Sequence, residues 1–353
     1  MQEIGRPSRS GRRAAVATGL MALAVAAVGF VPSAGAAGPS ITLGYFTGSL
    51  PTPATVIATT PSLLKTIPAT INWSPVTAGV TALAEMEGSS LDSITGVGNP
   101  PVVGAIGTGV DVDVLWATAL TASTLIVPKS ITKPSQLAGK TIGDLEGSST
   151  DYQVRGWLTS QHLTKSVTVD GFPSVAAVAA AELSGKLSGA YVNGVQVTQL
   201  TRGGGHVLVN SKQIAKVGYG GFGVLAVADS LVKSDPKVVQ DYVCAALTAT
   251  KDILGPNSEK YFKTSAKLLG IPEATAVTAG KADLSYYIPL SQEKSWLEGS
   301  NGSPETGQLT NDYLKTAQFD LSSGRITSIP TKAQVASHIV PKFALYALAG
   351  HCS

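Results

Sequence analysis

The stretch Gly139-Lys-Thr-Ile-Gly-Asp-Leu-Glu-Gly-Ser-Ser-Thr-Asp-Tyr152 decides how the rest of the chain is read. Residues 140–144 have the pattern of a short buried strand. A glycine-containing turn follows, and then three hydroxyl residues, Ser148, Ser149 and Thr150, where a helix should begin. A helix start leaves backbone N–H groups unpaired and carries partial positive charge from the aligned peptide dipoles. Small hydroxylated residues cap such an end and leave room for an anionic group to reach the free donors. The same pattern also fits an ordinary N-cap in an α/β repeat, so the reading depends on what lies around it.

Strands and helices alternate on both sides of this stretch. Upstream, strands are predicted at residues 40–46, 70–73, 93–97 and 110–117. Helices are predicted at 54–67 and 78–86, and a third opens with Asn99-Pro100-Pro101, proline being at home in a first helical turn. Downstream, a short strand at 123–127 precedes the helices 151–162, 174–184 and 195–201, which alternate with strands at 166–169, 189–192, 207–209 and 223–227. A long helix then runs from Pro236 to about residue 254, and the remainder reads as mostly helical. The rhythm indicates parallel sheets covered by helices on both faces. Two such units and a helical return imply two lobes, with chain crossings near residues 121–124 and 219–225. The run Gly218-Tyr-Gly-Gly-Phe-Gly223 suits the second crossing, since glycines absorb backbone rotation at little cost. It also matches G-x-G-x-x-G, but it leads into a strand rather than a helix, so a dinucleotide site is rejected.

The 353 residues carry a net charge of +3, and Arg6, Arg9, Arg12 and Arg13 against Glu3 account for all of it. The balanced remainder argues against nucleic acid as a partner. Residues 1–36 read as an export signal: arginines, an apolar run over 14–31, and the small-residue site Ala34-Gly35-Ala36. No cysteine lies near that site, so a product released without a lipid anchor or stable membrane insertion is expected, in a periplasm or outside the cell. Cys244 and Cys352 would then meet an oxidising compartment and are predicted to pair.

The sequence carries no catalytic signature. His162, His206, His338 and His351 stand in no nucleophile–base context, and no H-E-x-x-H or C-x-x-C is present. No cofactor, metal or enzymatic activity is therefore expected. Of the four tryptophans, Trp116 at a strand's end is the one placed to reach a cleft.

Several segments, in order, resemble the taurine- and alkanesulfonate-binding proteins of bacterial ABC importers. Ile41-Thr-Leu-Gly-Tyr-Phe looks like that family's first strand, and Thr77-Ala-Gly79 is similar to its Ser-Gly step before a helix. Gly98-Asn-Pro-Pro101 resembles its Gly-x-Ser-Pro turn, and Ile131-Thr-Lys-Pro-Ser-Gln-Leu-Ala-Gly-Lys-Thr-Ile142 its entry to the second lobe. Ser148-Ser-Thr-Asp-Tyr152 resembles its Ser-Thr-Thr-His-Tyr site, and Gly189-Ala-Tyr-Val192 its inter-lobe strand. The resemblance covers about residues 41–269. It implies an α/β, two-lobed type 2 periplasmic-binding-protein fold, each lobe a mixed sheet flanked by helices, with a ligand cleft at the hinge. Residues 37–122 and 225–353 would form the first lobe and 123–224 the second.

Carried over by position, the anion contacts would be Thr77, Gly79, Asn99, Ser148, Ser149 and Thr150. Tyr45, Phe46, Trp116 and Tyr152 could line the cleft. The chain departs from the family at Asn193, where the resemblance implies Trp, and at Gly223, where taurine binders carry an aspartate for the ligand's ammonium. Asp151 replaces a histidine. With Asp144 and Glu146 it adds carboxylates that either cap the helix or meet a cationic group. The expected function is capture of a small polar ligand, taurine- or sulfonate-like or a related anion or zwitterion, by a monomer that delivers it to an ABC permease and ATPase. The alternatives are a secreted sensor that has left transport, and an enzyme like the thiamin-precursor synthases.

Overall fold

The computed structural model describes residues 38–47 and 51–352, so the expected export signal over residues 1–36 lies outside the described residues. The chain begins with β1 (Ser40–Phe46), α1 (Pro53–Thr59), α2 (Pro61–Leu64), β2 (Thr70–Val76), α3 (Gly79–Glu87), β3 (Ser93–Gly98), α4 (Asn99–Thr108) and β4 (Val112–Leu120). It crosses to β5 (Ser123–Val127), β6 (Thr141–Leu145), α5 (Ser149–Ser160), β7 (Thr168–Phe172), α6 (Val175–Leu183), β8 (Ala190–Asn193), α7 (Val195–Arg202), β9 (His206–Asn210) and α8 (Ser211–Ala215). It returns through β10 (Phe222–Ala228), α9 (Asp229–Ser234), α10 (Pro236–Leu254), α11 (Ser258–Leu269) and α12 (Glu273–Asp283). The chain then runs through α13 (Glu293–Leu297), α14 (Gln308–Ser322), α15 (Lys332–Ser337) and α16 (Lys342–Leu348).

Two five-stranded sheets result, ordered β2-β1-β3-β10-β4 and β7-β6-β8-β5-β9. Both are mixed rather than wholly parallel, and the connectivity explains why. β10 arrives from the other lobe and runs antiparallel to β3 and β4. β5 arrives from the first lobe and runs antiparallel to β8 and β9. The two crossings lie side by side, the Thr121 backbone N–H donating to the Gly221 carbonyl at 2.8 Å.

Two local expectations shift. The helix predicted over 54–67 is two pieces, because Pro61 holds Thr60 extended (φ −120°), as the residue before a proline prefers. The strand predicted at 166–169 forms at Thr168–Phe172, where it runs parallel to β6.

The inner strand β5 of the second lobe is apolar on both faces because both are covered. On β5, Leu125 and Val127 pack under α5 in one cluster, while Ile126 faces Val178 and Leu200 in another. The first sheet sits in a larger core to which α10, α14 and α16 contribute Tyr242, Tyr313 and Phe343. Cys244 on α10 is disulfide-bonded to Cys352, 108 residues on, and the bond staples the tail to the core.

Candidate ligand-binding site

A cavity of about 380 Å³ lies where the two sheets meet. Five helices of eight residues or more direct their first turns at it: α3 and the proline-opened α4 from the first lobe, and α5, α6 and α7 from the second. Their local sequences explain the convergence. In each βα unit the strand ends at the same edge of its sheet, so the following helix begins there. Two tips are side-chain capped. Ser148 accepts from the Thr150 and Asp151 amides, and Ser174 from the Ala177 amide. α3 and α7 are not, their caps being Ala78 and Gly194. Gly194 holds φ +61°, a conformation costly for other residues, and this aims the α7 tip. First-turn amides of α3 and α7 thus remain open donors on opposite walls.

Seven of the residues marked in the sequence line this cavity: Phe46, Thr77, Gly79, Ser148, Ser149, Thr150 and Asn193. Ser149 also touches the first sheet, its Oγ donating to the carbonyl of Phe222 at the start of β10 at 3.5 Å. A Cβ on Gly98 would fall 2.1 Å from that Oγ, so only glycine lets the lobes approach this closely there.

The other six stand elsewhere. Tyr45 and Trp116 are core residues of the first sheet. Asn99 is fully buried and joins elements: its Nδ2 donates to Thr316 Oγ1 at 2.7 Å, and its Oδ1 accepts from the Phe222 amide at 3.3 Å. Tyr152 is buried edge-on to Tyr219 and Phe319, at centroid distances of 5.6 and 5.2 Å. Asp151 is fully buried. It accepts from the Gly147 amide at 3.1 Å and is ion-paired with Arg155 and with Arg325 from the first lobe. Glu146 is exposed, its side chain running past Gly171. Burial pushes the neighbouring Asp144 up to about 7, although Arg155 and Arg325 pull the other way.

Lining residues that the sequence did not single out include Ser174, Gln196, Asp283, Tyr286 and Tyr287. Ser174 carried a readable signal, a serine just before an alanine-rich helix. Asp283 and the two tyrosines carried none, since they sit at the last residue of α12 and in and just after the short 3-10 turn that follows, which only tertiary packing brings to the cleft. Among the described lining residues no lysine, arginine or histidine is present, and Asp283 is the one carboxylate. Burial pushes Asp283 up to about 7. The arrangement offers an anion open amides and hydroxyls, each helix tip contributing about 0.3–1 kcal/mol at an exposed site and more when water is excluded.

No protein-family model matches the chain. The taurine-binding periplasmic protein of Escherichia coli is 25% identical over 298 residues, covering 82% of this chain and 88% of that protein. The alkanesulfonate-binding protein of Xanthomonas axonopodis pv. citri, bound to MOPS, superposes with a TM-score of 0.70 at 20% identity, over 87% of this chain and all of that one. The desulfurization enzyme DSZB superposes with a TM-score of 0.58 at 17% identity, over 89% and 99% of the two chains. The protein therefore has the two-lobed fold of the periplasmic sulfonate-binding proteins, a fold that also carries an enzyme.

Proposed function

We propose that this chain is an exported solute-binding protein that closes its lobes, residues 37–122 with 225–353 and residues 123–224, on a taurine- or sulfonate-like ligand. It would hand that ligand to an ABC permease and its ATPase, acting as a monomer. The observation that carries the proposal is the cavity onto which helix tips from both lobes converge. A ligand held by both walls makes its full set of contacts only when the lobes meet, so binding shifts the population toward the closed form. The anion contacts are assigned to Thr77, Gly79, Ser148, Ser149 and Thr150, with Phe46 and Asn193 on the walls. Export follows from the arginine-led apolar run and small-residue site at the front of the sequence. No helix among the described residues is long and apolar enough to cross a membrane.

Binding is favoured over catalysis by the chemistry of the lining. Among the described lining residues no cysteine or histidine stands ready as nucleophile or base, and both cysteines are engaged in the disulfide. Calorimetric titration with taurine, ethanesulfonate, sulfate and nitrate tests the proposal. Saturable one-to-one binding of a sulfonate at micromolar concentration or below is expected. Heats indistinguishable from dilution for all four would defeat it.

A further inference from the structure

The cavity has a second chemical character that the helix tips do not explain. Asp283, at the end of α12 in the first lobe, lines it as an isolated carboxylate on which only burial acts, with no hydrogen bond or opposite charge among the described residues. The cations beside this turn are engaged elsewhere. Lys212 donates to Ser285 at 2.9 Å and lies over the Tyr286 ring, and Lys281 pairs with Glu259. Across the seam, α7 packs against α12 and brings Gln196 to the same cavity. Gln196 is 5% exposed, and its Oε1 has no hydrogen-bond partner among the described residues. A buried amide oxygen left unmatched carries a desolvation cost, which a ligand that donates to it relieves. Tyr287 adds aromatic surface on the Asp283 side, a surface that favours a nearby cation.

We propose that Asp283 and Gln196 are the specificity-determining pair of the cleft, receiving the cationic, hydrogen-bond-donating end of a zwitterion whose anion lies at the helix tips. The inference deepens the binding reading above and rests on it. A bare anion gains the helix-tip contacts but must leave Asp283 protonated or face its charge. A zwitterion holds Asp283 ionised and is held by it in return. The pair also spans both lobes, so the cationic end is gripped only when they meet.

The test compares two probes that differ by an ammonium group, taurine and ethanesulfonate, by calorimetry on the folded protein. The wild type should bind taurine at least tenfold tighter. Asp283→Asn should collapse that ratio by tenfold or more, and Gln196→Met should lower it independently, so that one variant's failure to fold leaves the other decisive. A wild type that binds ethanesulfonate as tightly as taurine overturns the inference while leaving the sulfonate reading standing. So does a taurine preference that survives in both variants. If neither probe binds the wild type, the sulfonate reading falls and the inference with it.

Discussion

Glu293 illustrates how a single buried acid can govern behaviour away from the cleft. Its side chain is fully buried and accepts a hydrogen bond from the Ala117 amide at 2.5 Å, beside a register shift in the β4–β10 pairing, while Oε2 has no partner among the described residues. Burial lifts its pKa from 4.5 to about 8. A folded-state value raised above the unfolded one means that its stabilising contribution is complete below about 4.5 and is lost as pH rises through about 8. Glu293→Gln keeps an acceptor for Ala117 and removes the titration. Its Tm should fall less than that of the wild type between pH 6 and pH 9, and parallel Tm profiles would refute this. The sequence showed which residue types belong at a helix tip, and it therefore found Ser148, Ser149 and Thr150. It could not separate Asn99 and Asp151 from them. A polar residue near a tip looks alike whether it faces a ligand or, as here, ties Phe222 and Thr316 together or pairs with Arg325.

At the scale of elements, the start of α5 meets the start of α4 where Ser149 abuts Gly98. Ser149→Leu would wedge these two tips apart. It should weaken ligand binding at least tenfold while changing the melting temperature of the ligand-free protein by only a few degrees, as followed by differential scanning calorimetry with and without taurine. Unchanged affinity would show that the tips need not meet. Alongside, Arg325 reaches from the segment after α14 to Asp151 on α5, and Tyr152 meets Phe319 on α14. Removing one partner of a buried pair commonly costs about 3 kcal/mol, because the other charge stays buried. Arg325→Met should accordingly lower unfolding free energy by about that amount in urea titrations, and a change below about 0.5 kcal/mol would remove the pair's structural role. Elements with strong periodicity or a proline start, such as α10 from Pro236, were legible from sequence. The direction of β10 was not, since a strand carries no mark of which neighbour it will join.

For the whole molecule, the Cys244–Cys352 bond closes a loop of 108 residues, and chain-entropy reasoning assigns such a closure about 4–5 kcal/mol. Reduction, or Cys244→Ala with Cys352→Ala, should lower Tm by several degrees with affinity for the ligand nearly kept. No change in Tm would refute the staple's contribution. The pairing was readable because both cysteines follow the expected export signal. The two-lobed plan was readable because βα alternation resumes after a break. What escaped was the wall containing Asp283, since residues more than 130 positions from Ser149 become its neighbours only through the packing of α12 on α7. That wall and its opposite share a trait with a wider effect. With no lysine, arginine or histidine among the described lining residues, attraction toward the opening arises from peptide dipoles whose reach ends within a helical turn. Encounter with a substrate is then governed by diffusion and fit, with little steering from afar. Capture should therefore proceed at much the same speed in dilute and in briny surroundings.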